Sequence, residues 1–172
     1  AVGEVLSARG HDVTLLISEK KIDSIAASGH KDLRFEKMPF LAMPRPWSPK
    51  MFGFLSGLWK GMAQCREIIR QNEVSVVLGM GGFTSFAPLL PEKGKMRTLI
   101  HESNAIPGKA NKLNARYANT VLCGLEACIP HFPKHGDVRA VGTPVRSAMR
   151  TQSQEDPYEF FKLDPSKKTL LI

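Results

Sequence analysis

The segment that decides the fold reads Thr98-Leu-Ile-His-Glu-Ser-Asn-Ala-Ile-Pro-Gly-Lys109. It joins a short apolar run at 98–100 to a helix-like stretch at 110–117. Open α/β sheets bind their ligands where a strand ends in polar side chains and turns into a helix. We therefore expect Glu102 and Asn104 to project into a crevice at the end of this strand.

The same alternation of strand and helix runs through the chain. The apolar patterns predict strands at 12–17, 33–38, 74–78, 97–101, 120–123 and 138–141, and helices at 1–10, 19–28 and 51–71. The run 74–78 is apolar except for Ser75, as expected of a buried parallel strand. This order predicts a Rossmann-like α/β fold, with a mostly parallel sheet and helices on both faces.

The two ends of the sequence predict how the chain divides into domains. Residues 1–11 resemble the later part of a helix that ends at Gly10, and 167–172 resembles a new strand. The polar stretch between 151 and 167 suits a linker or a surface excursion. We expect a fragment cut at both ends, with one domain over 1–147 and, over 148–172, a linker and the start of a second domain.

Composition and charge limit the kinds of partner and site. The chain has 172 residues and a net charge of +8, which favours anionic partners such as phosphates or an acidic membrane surface. No nucleic-acid-binding motif accompanies this charge. The three cysteines contain no CxxC pair, so no disulfide framework is expected. The longest nearly apolar run, 51–59, is far shorter than the roughly 20 residues of a membrane-spanning helix.

A metal site is not expected either. His131 and His135 are four residues apart, but Pro130 and Pro133 argue against one helix presenting both imidazoles. The sequence also has no Asp-x-Asp pair that would hold a metal-bound nucleotide diphosphate. We therefore expect neither a metal nor another cofactor.

A glycine-rich segment, Leu78-Gly-Met-Gly-Gly-Phe-Thr-Ser85, directly follows a predicted strand. Glycines at such a turn let backbone N–H groups approach a phosphate, and Thr84 or Ser85 is suited to cap the next helix. The alternative is close backbone packing without a ligand. The pattern is not GxGxxG, and no acidic residue ends a strand about twenty residues later, which argues against a dinucleotide site.

Polar residues after two further strands are also candidates for ligand binding. Glu102 is suited to act as a base or to accept sugar hydroxyls, and Asn104 can both donate and accept. Alternatively, both side chains cap the following turn. Arg146, in Gly142-Thr-Pro-Val-Arg146, is suited to a bidentate contact with phosphate or carboxylate. A surface arginine without a ligand is the alternative.

The predicted helix 51–71 combines aromatic and basic residues, which suits a helix lying on an anionic membrane. Its candidate membrane patch contains Phe52, Phe54, Leu55, Leu58, Trp59 and Lys60. The alternative is the buried face of a domain helix. Gly53, Gly57 and Gly61 recur every four residues, so they could line a close-packed face and leave the aromatic residues elsewhere.

Three of these motifs together resemble one enzyme family. The segments 78–83, 101–108 and 141–146 occur in the order and approximate spacing of MurG-type, family 28-like glycosyltransferases. The resemblance covers about residues 1–147. It implies inverting, metal-independent transfer of N-acetylglucosamine from UDP-N-acetylglucosamine to lipid I, which forms lipid II in peptidoglycan synthesis. It also implies a peripheral enzyme on the cytoplasmic face of the bacterial inner membrane.

The resemblance implies a GT-B architecture, in which two Rossmann-like domains face a cleft. This chain would be the N-terminal, acceptor-side half, and Thr169–Ile172 resembles the first strand of the donor-binding domain. The family's first strand and a glycine-rich loop with a histidine, a candidate base, would lie before Ala1. The fragment alone is therefore expected to be inactive. Phe83 stands where the family commonly has tyrosine.

Site residues follow from the resemblance position by position. Asn104 and Arg146 would contact the UDP-sugar, and Glu102 is the only candidate base in this chain. The acceptor diphosphate would face the glycine-rich loop with Gly81, Gly82, Thr84 and Ser85. The expected partners are UDP-N-acetylglucosamine, lipid I and an anionic membrane surface. Two alternatives stay open: a related glycosyltransferase with another acceptor, and a non-catalytic Rossmann-like module that binds a nucleotide or another anion.

Overall fold

The computed structural model describes residues 1–18, 33–39, 44, 47–82, 85–90, 96–146, 149 and 156–170. Its helices are α1 (Val2–Ala8), α2 (Lys50–Gln71), α3 (Phe86–Leu89), α4 (Lys109–Asn114), α5 (Pro157–Phe160) and one 3₁₀ helix (Glu126–His131). Its strands are β1 (Thr14–Ser18), β2 (Arg34–Met38), β3 (Val76–Gly79), β4 (Arg97–Glu102), β5 (Thr120–Cys123) and β6 (Val138–Ala140). The helix predicted at 19–28 lies outside the described residues.

All described strand pairs are parallel, as the sequence predicts. β1 pairs with β2, and a second sheet has the order β3-β4-β5-β6. The register places Glu102 beside Cys123, and Cys123 beside Ala140. The carboxyl ends of β4, β5 and β6 therefore meet at one edge of the sheet, where α/β folds place their ligands.

The main hydrophobic core lies under this edge. Ile100 of β4 and Val121 of β5 are fully buried, and they pack with Leu89 of α3 and Cys128 of the 3₁₀ helix. Burying one such aliphatic side chain stabilises a fold by about 1.5–3 kcal/mol. The buried apolar residues thus fix strands β4 and β5. The polar residues at the end of β4 are thereby held in fixed positions.

A second cluster joins α2 to the rest of the fold. Met38 of β2, Cys65 of α2 and Ala87 of α3 are buried together, and Leu58 packs against them. The predicted glycine face is confirmed in part. Gly61 is buried, Gly57 is half-buried and Gly53 is exposed, so the helix packs closely only over its middle turns.

The ends of the described chain contain one confirmed and one wrong prediction. α1 ends as predicted, because Gly10 adopts the left-handed conformation with φ +84° that lets the chain leave the helix. The strand predicted at 167–172 is not formed over 168–170. A strand needs a neighbour to hydrogen-bond, and none of the described strands lies beside these residues. No helix of the described chain is long and apolar enough to cross a bilayer.

Candidate functional site

A cavity of about 270 Å³ opens at the carboxyl ends of β3 and β4. Residues from the glycine-rich segment, the end of β4 and the start of α4 line it: Met80, Gly81, Gly82, His101, Glu102, Ser103, Asn104, Gly108, Ala110 and Asn111. This volume is just below the usual range for a whole drug-sized ligand. The cavity therefore suits one part of a larger substrate, such as a diphosphate or a single sugar.

Glu102 is the centre of the hydrogen-bond network in this cavity. Its Oε1 accepts hydrogen bonds from the backbone N–H of Asn104 at 2.9 Å and from the Asn104 side chain at 2.8 Å. Its Oε2 accepts from the backbone N–H of Gly108 at 3.0 Å and from Asn111 Nδ2 at 3.0 Å. Both carboxylate oxygens are thus occupied by the turn between β4 and α4.

These contacts set the charge state of Glu102. Burial alone would raise the pKa of this carboxyl, but hydrogen bonds from the Asn104 and Gly108 backbone and from the Asn111 and Asn104 side chains lower the pKa below its usual value. A carboxylate that is buried, ionised and fully hydrogen-bonded gives up these bonds if it takes a proton. The geometry therefore favours the capping alternative over the predicted role of Glu102 as a base.

Asn104 lines the cavity, as the sequence predicts, and its orientation is fixed. Its Nδ2 donates to Glu102, and the residue is exposed. Because Nδ2 is engaged by Glu102, the amide oxygen Oδ1 is the acceptor that this side chain can offer. Asn104 is thus arranged to present a hydrogen-bond acceptor to a ligand hydroxyl or N–H group.

Two buried asparagines of α4, which the sequence reasoning missed, support the floor of the cavity. Asn111 donates to the backbone oxygen of His101 at 3.1 Å, and Asn114 donates to the backbone oxygen of Gly82 at 3.3 Å. The Oδ1 atoms of both residues are buried without a partner. The sequence pattern that could have indicated them is their i, i+3 spacing, which places both asparagines on one helix face directly after the ligand-binding turn.

The glycine-rich segment turns back over this floor. Gly81 and Gly82 have φ values of +104° and +76°, which residues with a side chain rarely adopt. Ser85 lies at the N-cap of α3, but its hydroxyl donates to the backbone oxygen of Gly81 at 2.6 Å and makes no capping bond. The capping prediction for Ser85 is wrong, and the reason is its helical backbone (φ −67°, ψ −16°), whereas an N-cap side chain reaches the first N–H groups from an extended backbone. Phe83 and Thr84 lie outside the described residues.

Arg146 does not line the cavity. It belongs to an exposed segment, 141–146, that follows β6. This segment contacts the site at two points: His101 Nε2 lies 3.0 Å from the Gly142 oxygen, and Thr143 lies against Gly124. The structure thus places the segment at the rim of the site but leaves the Arg146 side chain in solvent.

The candidate membrane patch divides between two faces of α2. Phe52, Leu55 and Trp59 are 81%, 44% and 72% exposed and lie on one side of the helix. Lys60 is also exposed. Leu58, however, packs against the second core cluster, and Phe54 is half-buried. The prediction that Leu58 belongs to an exposed patch is therefore wrong.

The cavity lining carries two titratable side chains, His101 and Glu102. The described parts of the chain do not bring three His, Cys, Asp or Glu side chains together as a metal site. The other polar groups of the lining are backbone groups, the amides of Asn104 and Asn111, and the hydroxyl of Ser103.

Comparison with known proteins decides the family. Residues 1–123 match the family model described as the glycosyltransferase family 28 N-terminal domain. The chain belongs to this family. The matched residues run from α1 to the end of β5, and they include every residue that lines the cavity.

Two relatives of this family 28 domain carry the same name. Proteins of Halothermothrix orenii and Opitutus terrae are 28% and 32% identical over the whole of this chain, which covers 47% and 45% of their lengths. Both are named UDP-N-acetylglucosamine–N-acetylmuramyl-(pentapeptide) pyrophosphoryl-undecaprenol N-acetylglucosamine transferase. The chain thus spans about half the length of the curated relatives it matches.

A solved structure confirms the fold of the family 28 domain. The crystal structure of Acinetobacter baumannii MurG matches it with a TM-score of 0.61 at 22% identity, over 86% of this chain and 41% of the other. The predicted fold class, a Rossmann-like parallel α/β sheet that forms the N-terminal half of a GT-B glycosyltransferase, is confirmed.

Proposed function

We propose that this chain is the acceptor-side domain of an enzyme that transfers N-acetylglucosamine from UDP-N-acetylglucosamine to lipid I, which gives lipid II for peptidoglycan synthesis. The observation that carries the proposal is the cavity at the carboxyl ends of β3 and β4, in a family 28 domain whose relatives are named for this transfer. Residues 1–147 form this domain, and 148–172 lead to a donor-binding domain.

The glycine-rich segment is proposed to hold the diphosphate of lipid I. Gly81 and Gly82 carry no Cβ and adopt positive φ, so a phosphate can approach their backbone N–H groups closely. Their position over the buried α4 asparagines supports this role, because Asn114 fixes the Gly82 carbonyl and keeps the loop in place. Ser85 acts through the loop, since its hydroxyl holds the Gly81 carbonyl.

The UDP-sugar is proposed to meet Asn104 and Arg146. The Asn104 amide oxygen is oriented to accept a hydrogen bond from a sugar hydroxyl. The guanidinium of Arg146 is solvent-exposed and suited to a bidentate contact with the nucleotide diphosphate. Asn104 follows β4 and Arg146 follows β6, so the two residues would contact the donor from the ends of two strands of the same sheet.

The reaction is proposed to be inverting and metal-independent. A base takes the proton from the acceptor's sugar hydroxyl, the oxygen attacks the anomeric carbon, and UDP leaves. Positioned donors stabilise the charge on the leaving diphosphate. Because the Glu102 carboxylate is committed to the turn after β4, we assign the base to a part of the enzyme outside the described residues.

The exposed face of α2 is proposed to lie on the anionic cytoplasmic surface of the inner membrane. Phe52, Leu55 and Trp59 present apolar groups there, and Lys50 and Lys60 supply positive charge beside them. Lipid I carries its sugar on an undecaprenyl chain that stays in the bilayer. A peripheral contact of this kind would bring the cavity to the acceptor.

Transfer of labelled N-acetylglucosamine to a lipid I analogue by the full-length gene product tests the proposal. We expect transfer by the wild type, its loss in Asn104→Ala and Arg146→Ala, and its retention in Arg116→Ala, an exposed arginine away from the cavity. Transfer to another acceptor alone would indicate a related glycosyltransferase. A folded protein that binds UDP but transfers to no acceptor would indicate a binding module.

A further inference from the structure

His101 lies at a junction between two strand ends. It precedes Glu102 at the end of β4 and is only 3% exposed. Its Nε2 lies 3.0 Å from the backbone oxygen of Gly142, and its Nδ1 lies 3.4 Å from Ser103 Oγ. The ring therefore connects the segment that carries Asn104 to the segment that carries Arg146.

The partners of the ring define its tautomer. A carbonyl oxygen can only accept, so Nε2 must carry the hydrogen that it donates to Gly142. In the Nε2–H tautomer, Nδ1 is left as an acceptor for the Ser103 hydroxyl. Both ring nitrogens thus have hydrogen-bond partners within the protein.

The segment 141–146 has few other attachments to the described residues. All six residues are exposed. Val141 continues the β6 ladder, since its N–H donates to the Cys123 oxygen at 2.8 Å. After Val141 the chain turns at Gly142, which has φ +80°, and Thr143 lies against Gly124. The hydrogen bond from His101 therefore acts at the residue where the segment leaves the sheet.

We infer that His101 is a positioning residue that holds the segment 141–146 against the end of β4, so that Arg146 and Asn104 meet the same donor molecule. This inference rests on the proposed function, because it takes both residues as contacts to the UDP-sugar. Removal of the hydrogen bond frees the segment to turn at Gly142 and weakens donor binding without removing any atom that touches the donor.

Two substitutions separate this role from a general effect on folding. A glutamine amide nitrogen can reach the position of Nε2, whereas an asparagine nitrogen reaches only the position of Nδ1. In the full-length gene product we expect His101→Asn to raise the apparent KM for UDP-N-acetylglucosamine on the order of tenfold, the effect of one lost hydrogen bond. His101→Gln should stay within about twofold and keep the wild-type pH profile.

A double-mutant comparison tests the connection to Arg146. In an Arg146→Ala background the contact that His101 positions is already lost, so His101→Asn should cause no further rise in the Kd for UDP-N-acetylglucosamine, measured by calorimetry without turnover. Independent, additive effects of the two substitutions would overturn the inference. So would a His101→Gln enzyme as impaired as His101→Asn, or one whose pH profile loses a titration.

The tautomer gives a test that does not depend on activity. Two-bond ¹H–¹⁵N spectra of histidine-labelled protein distinguish Nε2–H from Nδ1–H rings, and His101→Gln identifies the signal. We expect the Nε2–H form, and a Nδ1–H ring would overturn the inference. Failure of the wild type to transfer the sugar would instead count against the proposed function and would leave the tautomer result intact.

Discussion

Glu102 accepts four hydrogen bonds, three from the turn that follows it and one from Asn111 of α4, and this environment decides its chemistry. The sequence correctly predicts a polar residue at a strand end but cannot distinguish a free base from a turn-organising carboxylate. The difference depends on where Gly108 and Asn111 fold relative to Glu102. A side chain that is ionised and enclosed in this way stabilises the turn.

Glu102→Gln should therefore destabilise the protein by about 2–4 kcal/mol at pH 7, because an amide N–H₂ would face two donors that the carboxylate satisfied. The pKa of Glu102 is lower in the folded protein than in the unfolded chain. The ionised carboxylate therefore stabilises the fold above the unfolded carboxyl pKa of about 4.3. This stabilisation is lost as the pH falls through the pKa of the folded state. Urea unfolding at neutral and acidic pH should show the difference between wild type and variant shrinking in acid.

Glu73→Gln is the matched control for this substitution, because Glu73 is exposed and belongs to no hydrogen bond described for the cavity. It should leave the unfolding free energy within about 0.5 kcal/mol of wild type. A constant difference between wild type and Glu102→Gln from pH 7 to pH 3 would contradict the charged state assigned to Glu102.

A substitution at Gly124 tests the contact between this residue and Thr143 of the segment 141–146. A Cβ at this position would lie 2.5 Å from Thr143 Oγ1 and 3.2 Å from the Ser103 Cα. Gly124→Ala should displace the segment and cost about 1–3 kcal/mol of stability. Gly136→Ala, where nothing lies within 4 Å of the new Cβ, should be neutral in the same thermal unfolding experiment. Equal effects of the two would refute the contact.

Local sequence patterns did not predict the residues whose hydrogen-bond partners are distant in the sequence. His101 contacts Gly142, 41 positions away, and Asn114 contacts Gly82, 32 positions away. Asn104 and the positive-φ glycines were predictable because their roles follow from a strand end and a tight turn. The buried amides were not, since their partners are known only once the strands and α4 have packed.

At the scale of single elements, α2 shows how one helix can serve two environments. Neighbouring residues, Leu58 and Trp59, lie on different sides of it: Leu58 packs on the second core cluster, while Trp59 is largely exposed. Composition alone placed both in one patch. Only the packing of Gly61 and Cys65 against the fold fixes which side faces outward.

Trp59→Ser should reduce binding to vesicles that contain phosphatidylglycerol and should leave the melting temperature close to wild type, because the indole is exposed. Leu58→Ala should lower stability by about 2 kcal/mol through lost burial and should leave vesicle binding by the folded protein intact. Vesicle co-sedimentation and thermal unfolding measure the two effects. Unchanged binding in Trp59→Ser would sink the proposed membrane surface.

The strands differ in how far sequence determines them. β4 and β5 were predictable from apolar runs because both are buried between helices. The segment 167–172 has a similar apolar pattern, yet 168–170 forms no strand. A strand is completed by its neighbour, so a correct local pattern cannot by itself decide whether pairing occurs.

At the scale of the whole molecule, the short helix α3 connects the two core clusters. Leu89 belongs to the main core and Ala87 to the second. Because one helix of four residues contributes to both cores, the two cores are not separate packing units. The main core and the α2 layer should therefore lose their structure together.

The buried thiols test this cooperativity. Burial raises the pKa of Cys65 in the second cluster and of Cys128 in the main core to about 12, so the unreactive thiol form should persist in the folded protein. Pulse alkylation with peptide mass spectrometry across a urea gradient should show both cysteines becoming reactive at the same midpoint. Separate midpoints would indicate two independently unfolding units.

The unpaired edges of strands β1 and β3 affect how the molecule behaves at high concentration. Among the described strands, β1 pairs only with β2, and β3 pairs only with β4. Each therefore has one edge whose backbone N–H and C=O groups have no strand beside them in the described chain. Such edges act as templates for strands of other chains. A segment of the full-length protein that covers these edges would therefore also protect the molecule from aggregation.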